Sequence, residues 1–196
     1  MGLQPTTTQS IRALRDEWRR TVLPALSGDV LDVGAGTGAA ADHLGTTVRW
    51  IALEPSRSAR RDLSTRVRDR PESQLLAARA EDIPLPDASV DAVIAGTVLC
   101  SVRDPARALA QIRRVLRPGG RLVFFEHVVA PAGTWTRVLQ RTYAPLSRII
   151  DAGCDPARDT ETAIRDAGFQ TVDVRSELAP GILGTVDPLI QGIAVR

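Results

Sequence analysis

Val30-Leu31-Asp32-Val33-Gly34-Ala35-Gly36-Thr37-Gly38 is the stretch on which the fold turns. The apolar run Asp29 to Val33 reads as a strand, and it ends in a glycine-rich turn that leads into a helical pattern. Glycines at such a turn let backbone approach a ligand at the switch point of a doubly wound sheet, which makes this a nucleotide site. The loop alone does not say which nucleotide, because with Ala39 it also satisfies the dinucleotide pattern G-x-G-x-x-G/A.

Charge separates the two candidates. Asp32 would face a pyrophosphate unfavourably, as in a nicotinamide cofactor, but it suits a ligand with an ammonium and no phosphate. That favours S-adenosylmethionine. Glu54 closes the second strand 18 residues beyond Gly36, held between Leu53 and Pro55, where a carboxylate can accept from both hydroxyls of a ribose.

Outward from this loop, strands alternate with helical patterns. Ile11, Leu14, Trp18 and Val22 make an apolar stripe opposite Arg12, Arg15, Asp16 and Arg19, with Ser10 as cap. Val48 to Leu53 is a strand stopped by Pro55, and a helix follows with Ala59, Leu63 and Val67 on one face. After a short run at Gln74 to Ala78 comes a strand at Val90 to Ala95. Asp104-Pro105 opens a helix with Leu109, Ile112 and Leu116 inward and Pro118-Gly119-Gly120 as its stop, before a strand at Arg121 to Glu126. Pro131 to Ile150 is helical, and Thr160 to Ala167 is a capped helix ended by Gly168. Strands at Thr171 to Ser176 and Ile190 to Val195 flank a turn-rich connection from Pro180 to Pro188, short enough for an antiparallel pair. Continuous apolar strands between helices read as a mostly parallel α/β sheet covered on both faces.

Composition narrows the function. The chain has 196 residues, 25 basic and 23 acidic, and its basic residues are all arginine. Near-neutral charge argues against nucleic acid or an anionic membrane as partner. The arginines from Arg57 to Arg70 are interrupted by Asp62 and Asp69 and read as a solvated helix face. Cys100 and Cys154 cannot build a disulfide framework, and with only His43 and His127 there is no metal-ligand spacing. Asp151 and Asp155 lack a third ligand for a metal-dependent catechol site. A cytoplasmic location without a membrane anchor is expected, since no apolar stretch approaches the length of a membrane helix.

Three segments together resemble a family. The glycine loop, then Ala80-Glu81-Asp82-Ile83-Pro84-Leu85-Pro86-Asp87-Ala88-Ser89-Val90-Asp91, then Arg114-Val115-Leu116-Arg117-Pro118-Gly119-Gly120, are similar to the class I S-adenosylmethionine-dependent methyltransferases of the ubiquinone-biosynthesis type. The resemblance implies a Rossmann-like seven-stranded sheet with an antiparallel C-terminal strand and helices on both faces. It implies that Asp32 and the loop residues Gly34, Ala35, Gly36 and Gly38 hold the methionine part, Glu54 the ribose and Ala80-Glu81 the adenine. Pro55, Thr97 and Leu99 complete the expected cofactor contacts. Arg79 stands where many relatives have aspartate, which shifts adenine recognition to Glu81 or to backbone groups. Leu99-Cys100-Ser101-Val102, Phe125-Glu126-His127-Val128, Thr134-Trp135, Gly153-Cys154, Arg158 and the final Ile190-Gln191-Gly192-Ile193-Ala194 resemble more narrowly the methyltransferase-like 7 group and its bacterial relatives. That group contains membrane-associated animal enzymes that methylate alkyl thiols.

Methyl transfer is an in-line displacement, so the protein aligns an acceptor lone pair and helps remove a proton where there is one. His127, after the strand ending at Glu126, lies at the carboxyl edge and has a suitable pKa for a general base; Glu126 can orient it or touch substrate. Trp135 and Tyr143 on one helix, with Cys154 and Arg158, are the expected substrate contacts. One domain spanning 1–196 is expected, with the N-terminal helix (about 8–22) and the segment at about 128–160 enclosing a small-molecule acceptor. The preferred acceptor is a thiol; oxygen, nitrogen or carbon of a natural product, quinone or lipid stays open. So does a cofactor-binding member of the fold that transfers no methyl group. Oligomeric state is not legible.

Overall fold

Strands that are apolar on both sides must be covered on both faces, and the chain meets that demand with a central sheet. The structure, a computed structural model, describes residues 9–150, 153–181 and 185–196. Among these residues the sheet has seven strands in the order β3-β2-β1-β4-β5-β7-β6. β1 (Asp29–Val33), β2 (Arg49–Leu53), β3 (Gln74–Leu76), β4 (Val90–Gly96) and the long β5 (Leu116–His127) pair in parallel. β7 (Val186–Val195) enters antiparallel between β5 and β6 (Thr171–Pro180).

The helices take the two faces. Trp18 of α1 (Ile11–Val22) and Leu63 of α2 (Ala59–Arg68) pack with Val30, Trp50 and Phe125 on one side. Leu109 and Ile112 of α3 (Pro105–Val115) and Ile164 of α5 (Thr160–Asp166) pack with Leu31, Leu53 and Phe124 on the other. α4 (Trp135–Ile150) lies at the carboxyl edge, where Gln140 holds the chain after β5: its Oε1 accepts from Ala130 N–H at 2.8 Å and its Nε2 donates to Val128 O at 3.2 Å. Both predicted N-caps form, Ser10 accepting from Ala13 N–H and Asp104 from Arg107 N–H. No helix among the described residues is long and apolar enough to cross a membrane.

Three local expectations change. Leu116 is not the last inward residue of α3: the helix stops at Val115, and Leu116 already pairs with Val90. The next aligned pair is Ala92 with Arg121, so Pro118-Gly119-Gly120 bulges out of β5 instead of separating two elements. The last two strands also run further than predicted, to Pro180 and from Val186, and absorb most of the expected connection. Third, the arginines from Arg57 to Arg70 are mostly exposed, as expected, but two of them also hold other segments. Arg66 pairs with Asp42 at 2.5 Å, and Arg70 donates to the carbonyls of Ala41, Leu44, Gly45 and Val48, tying α2 to the chain before β2. Residues 1–8, which include the first residue of the predicted N-terminal helix, and Asp151 lie outside the described residues.

Gly192 shows how tightly the C-terminal strands are stacked. A β-carbon there would overlap the Asp173 carbonyl and lie 2.6 Å from Phe124 Cζ. Gly192→Ala is expected to cost about 2–3 kcal/mol in urea unfolding, the range for overpacking a core, and a loss below about 0.5 kcal/mol would contradict this packing.

Candidate active site

After β1 the chain crosses to β2 and β3, and it returns to place β4 on β1's other side, so the carboxyl ends of β1 and β4 flank a crevice. The glycine loop forms its floor. Gly34, Gly36 and Gly38 have φ of 65°, 57° and 88°, values that side chains disfavour. A β-carbon at Gly34 would sit 2.5 Å from Val98 Cγ2, so the loops after β1 and β4 can close on each other only over glycine.

Two carboxylates stand at this loop. Glu54 accepts from Gly36 N–H at 2.9 Å and from Ser56 N–H at 2.7 Å, one bond per oxygen, leaving a further lone pair on each for a hydroxyl. Asp32 is buried under the turn, where Trp50 Nε1–H donates to its Oδ2 at 3.3 Å. Burial pushes the Asp32 carboxyl up to about 7, with Glu54 adding to the rise, against the Trp50 hydrogen bond and the Arg19 charge. The crevice encloses about 340 Å³, with Gly34, Gly36, Glu54, Ala80, Thr97 and Ser101 among its walls.

A second cavity of about 520 Å³ adjoins it. Ile11 of α1, Leu139 and Tyr143 of α4, His127 and Cys154 line it, and Thr97 and Ser101 line both cavities. Thr97 has φ of 62°, an outlying conformation for a β-branched residue. It is held there by its N–H to Phe125 O at 2.7 Å, by its hydroxyl to Gly96 O at 2.6 Å, and by Arg15 Nη1 donating to Oγ1 at 3.0 Å. Strain of this kind persists where surroundings over-determine it, as they do at this junction.

Glu126 does not reach either cavity. It is fully buried, and its carboxylate accepts from Val98 and Leu99 N–H, both at 2.9 Å, and from Cys100 N–H at 3.3 Å. Burial raises its pKa well above the carboxylate range, nearby Cys100 adds to the rise, and the three amides oppose it. It therefore positions the loop after β4, and it stands in the wall of neither cavity, so of its two expected roles, orienting His127 or touching substrate, the second is not served from this place. His127 does face the cavity. Its Nδ1 lies 3.8 Å from Cys100 Sγ and 3.9 Å from Cys154 Sγ, and the two sulfurs are 3.5 Å apart. Burial pulls the imidazolium down, but the Cys100 thiol and the charges of Glu126 and Asp187 outweigh it, leaving His127 above its ordinary value. The Cys100 thiol is pushed up by the neighbouring Cys154 and by burial.

Other expected contacts separate. Tyr143 and Cys154 line the second cavity, whereas Trp135 is 67% exposed and lines only a shallow hollow beside residues 132–134. The cavity face of α4 runs through Thr136, Leu139, Gln140 and Tyr143, and residue 135 falls off so narrow a stripe. Arg158 is a tether: its Nη1 donates to Leu99 O at 2.8 Å and to Val102 O at 2.6 Å. The Glu81 carboxylate, though at the crevice, accepts from Arg103 N–H at 2.7 Å and Asp104 N–H at 3.3 Å, ahead of α3. Leu99 is buried in the core, while Pro55 and Ala80 line the crevice. Asp155, read earlier beside Asp151, is buried and accepts from Ala157 N–H at 3.0 Å.

Sequence reasoning missed Arg15 and Ser101. Arg15 was placed on the solvent side, yet it stands four residues after Ile11 and three before Trp18, which puts it on the inward edge of the helix. Its Nε is buried with no hydrogen-bond partner among the described residues. Sequence spacing also did not show that folding brings ligand atoms of Cys100, His127 and Cys154 within 4.8 Å of one another.

Two cavities that share Thr97 and Ser101 at the carboxyl edge of a Rossmann-like sheet give a bound nucleotide and a second ligand neighbouring places. Residues 31–124 match the family described as Methyltransferase domain. The human protein named Thiol S-methyltransferase TMT1B is 34% identical over 180 residues, covering 89% of this chain and 74% of the relative. Among solved structures, the [4+2]-cyclase SpnF superposes with a TM-score of 0.71 at 22% identity, over 94% of this chain and 80% of that one. A putative methyltransferase from Bacillus halodurans gives 0.71 at 16% identity, over 92% and 97% of the two chains. The chain belongs to the class I S-adenosylmethionine-dependent methyltransferases.

Because three backbone amides depend on Glu126, its removal and its conservative replacement should differ. Glu126→Ala is expected to lose about 2–4 kcal/mol by stranding buried donors, and Glu126→Gln, whose amide oxygen still accepts, less than half of that. Equal losses in urea unfolding would contradict the anchoring role.

Proposed function

We propose that the enzyme methylates the sulfur of a small, largely apolar thiol, in the cavity bounded by α1, α4 and the Cys154 segment. The observation that carries this reading is the junction itself. Thr97 and Ser101 border the cofactor crevice on one side and, on the other, a cavity whose wall carries His127 and Cys154 together with apolar Ile11, Leu139 and Pro156 and polar side chains that include Gln140 and Asp187. The similarity to an enzyme named as a thiol S-methyltransferase supports sulfur as the acceptor atom.

S-adenosylmethionine, when bound, supplies an electrophilic methyl on its sulfonium. The residues present fit it. The open space beside Gly36, where a β-carbon would meet nothing nearer than 4.0 Å, leaves room for a ligand against backbone. The free lone pairs of Glu54 suit a ribose, and Asp32 under the turn suits an ammonium. Arg79, Ala80 and Glu81 wall the end assigned to adenine; both amides on Glu81 bond its Oε1, which leaves Oε2 for the ligand. Arg15 brings a cation to the junction, where it fixes Thr97.

The chain's own residues then do three things. α1 and α4 wall the acceptor cavity, with Ile11 from one and Leu139 and Tyr143 from the other, and hold the acceptor against the junction. Glu126 holds the loop after β4, and with it the shared wall. His127 is positioned to receive the acceptor's proton. A thiol asks little of that base, since an ordinary pKa of about 8.5 leaves a few per cent thiolate at neutral pH.

Labelled S-adenosylmethionine incubated with a panel of thiols, phenols and amines is expected to label the thiols, and transfer confined to oxygen or nitrogen would overturn sulfur as the acceptor. Cofactor affinity should depend on pH through Asp32. Its raised pKa means that it is protonated below about 7 and cannot then pair with an ammonium, so binding of S-adenosylhomocysteine should tighten as pH rises, by up to about tenfold per unit below 7. Calorimetry should show Asp32→Asn binding about tenfold or more weakly with a flat profile; an unchanged profile would remove Asp32 from the site.

A further inference from the structure

We propose that Cys100, His127 and Cys154 form a site for a thiophilic divalent metal ion of the zinc class, with its fourth coordination position open to the acceptor cavity. The three ligands come from separate parts of the fold: the loop after β4, the end of β5, and the segment between α4 and α5. Their atoms form a small triangle with edges of 3.5 Å (Sγ to Sγ), 3.8 Å and 3.9 Å (each Sγ to Nδ1). Tetrahedral zinc, with bonds of about 2.3 Å to sulfur and 2.0–2.1 Å to nitrogen, sets those edges at about 3.8 Å and about 3.6 Å. The triangle is thus already close to one face of a zinc tetrahedron.

The donor set suits such an ion. Two sulfurs and an imidazole select soft or borderline metals over magnesium or calcium, which want oxygen. The ligands are also held by the fold. Cys100 donates its N–H to buried Glu126 at 3.3 Å and accepts on its carbonyl from Asp155 N–H at 3.0 Å, so the stretches carrying both cysteines are bonded to each other. Three protein ligands with one position left over is the pattern of a reactive zinc site, whereas structural sites are closed by four. Here Cys100 is buried behind, and His127 and Cys154 form the cavity wall, so the remaining position faces the acceptor.

A thiol that enters this position forms a sulfur–metal bond as its S–H bond breaks, and the proton leaves to water through the cavity. No oxidant or reductant is needed. This part rests on the thiol reading above and moves the task of lowering the acceptor's pKa from His127 alone to an ion that His127 helps to hold. The metal site itself does not depend on the identity of the acceptor. A Cys100–Cys154 disulfide is the competing use of the same sulfurs; it needs an oxidant and leaves His127 out.

Cobalt(II) titrated into the whole chain, purified reduced and metal-free, tests the site without turnover. One ion per chain is expected, with the visible bands of a tetrahedral site and thiolate charge-transfer absorption. Cys100→Ser, Cys154→Ser and His127→Ala should each weaken binding at least tenfold, with circular dichroism and S-adenosylhomocysteine binding checking that the variants fold. A small apolar thiol added without cofactor should shift the bands. Absence of the bands, or their survival in the Cys100→Ser/Cys154→Ser double variant, would overturn the site. So would protein that isolates two hydrogens lighter as a disulfide and shows no bands after reduction. Bands that no thiol shifts, in protein that methylates thiols, would overturn the open position. Failure of sulfur as the acceptor shows in the labelling panel whatever cobalt does.

Discussion

A buried carboxylate with three backbone amides on it holds the centre of this molecule together. Glu126 sits at the end of β5 with no solvent contact, and Val98, Leu99 and Cys100 turn their N–H groups onto it. Without those bonds the loop after β4 would carry unsatisfied donors into the core, which folded proteins rarely tolerate. With them, Thr97, Cys100 and Ser101 are placed at once: Thr97 in its strained conformation, Ser101 on the wall between the two cavities, and Cys100 beneath His127. The cofactor crevice and the acceptor cavity are separated by one loop, and one side chain of the neighbouring strand holds it.

The two cavities differ in the groups that line them. The crevice has the Glu54 carboxylate in its wall, and Asp32 is buried beneath the glycine turn beside it. The second cavity gathers the sulfur of Cys154, the imidazole of His127 and apolar Ile11 and Leu139, with Gln140 and Asp187 among its polar groups. Arg15 reaches the boundary from α1 and holds Thr97 there. Both cover helices thus have a task at the edge of the sheet: α1 brings a cation to the junction, and α4 contributes the stripe through Leu139 and Tyr143.

Most strands were legible because a buried parallel strand has to be a continuous apolar run, and the glycine loop was legible because left-handed backbone needs glycine. The capped helix starts were equally plain at Ser10 and Asp104. What failed did so for lack of a local signal. Leu116 could continue a helix or begin a strand, and its pairing with Val90 decides the matter. Glu126 and Arg158 are polar residues near a cleft, which looks functional in one dimension, yet each bonds backbone groups distant in the chain. Trp135 fell outside a cavity stripe narrower than helical spacing alone could define.

The amino-acid order by itself determined the alternation of strands and helices and the glycine turn, because those rest on local rules of periodicity and left-handed backbone, and its three motifs carried the resemblance that pointed to the class of the enzyme. The tertiary structure alone decided which polar groups remain available for chemistry and which are absorbed in holding loops. It also brought Cys100, His127 and Cys154 together from three distant segments, since sequence spacing carries no information about atoms that meet only when β4, β5 and the chain beyond α4 close over one edge of the sheet.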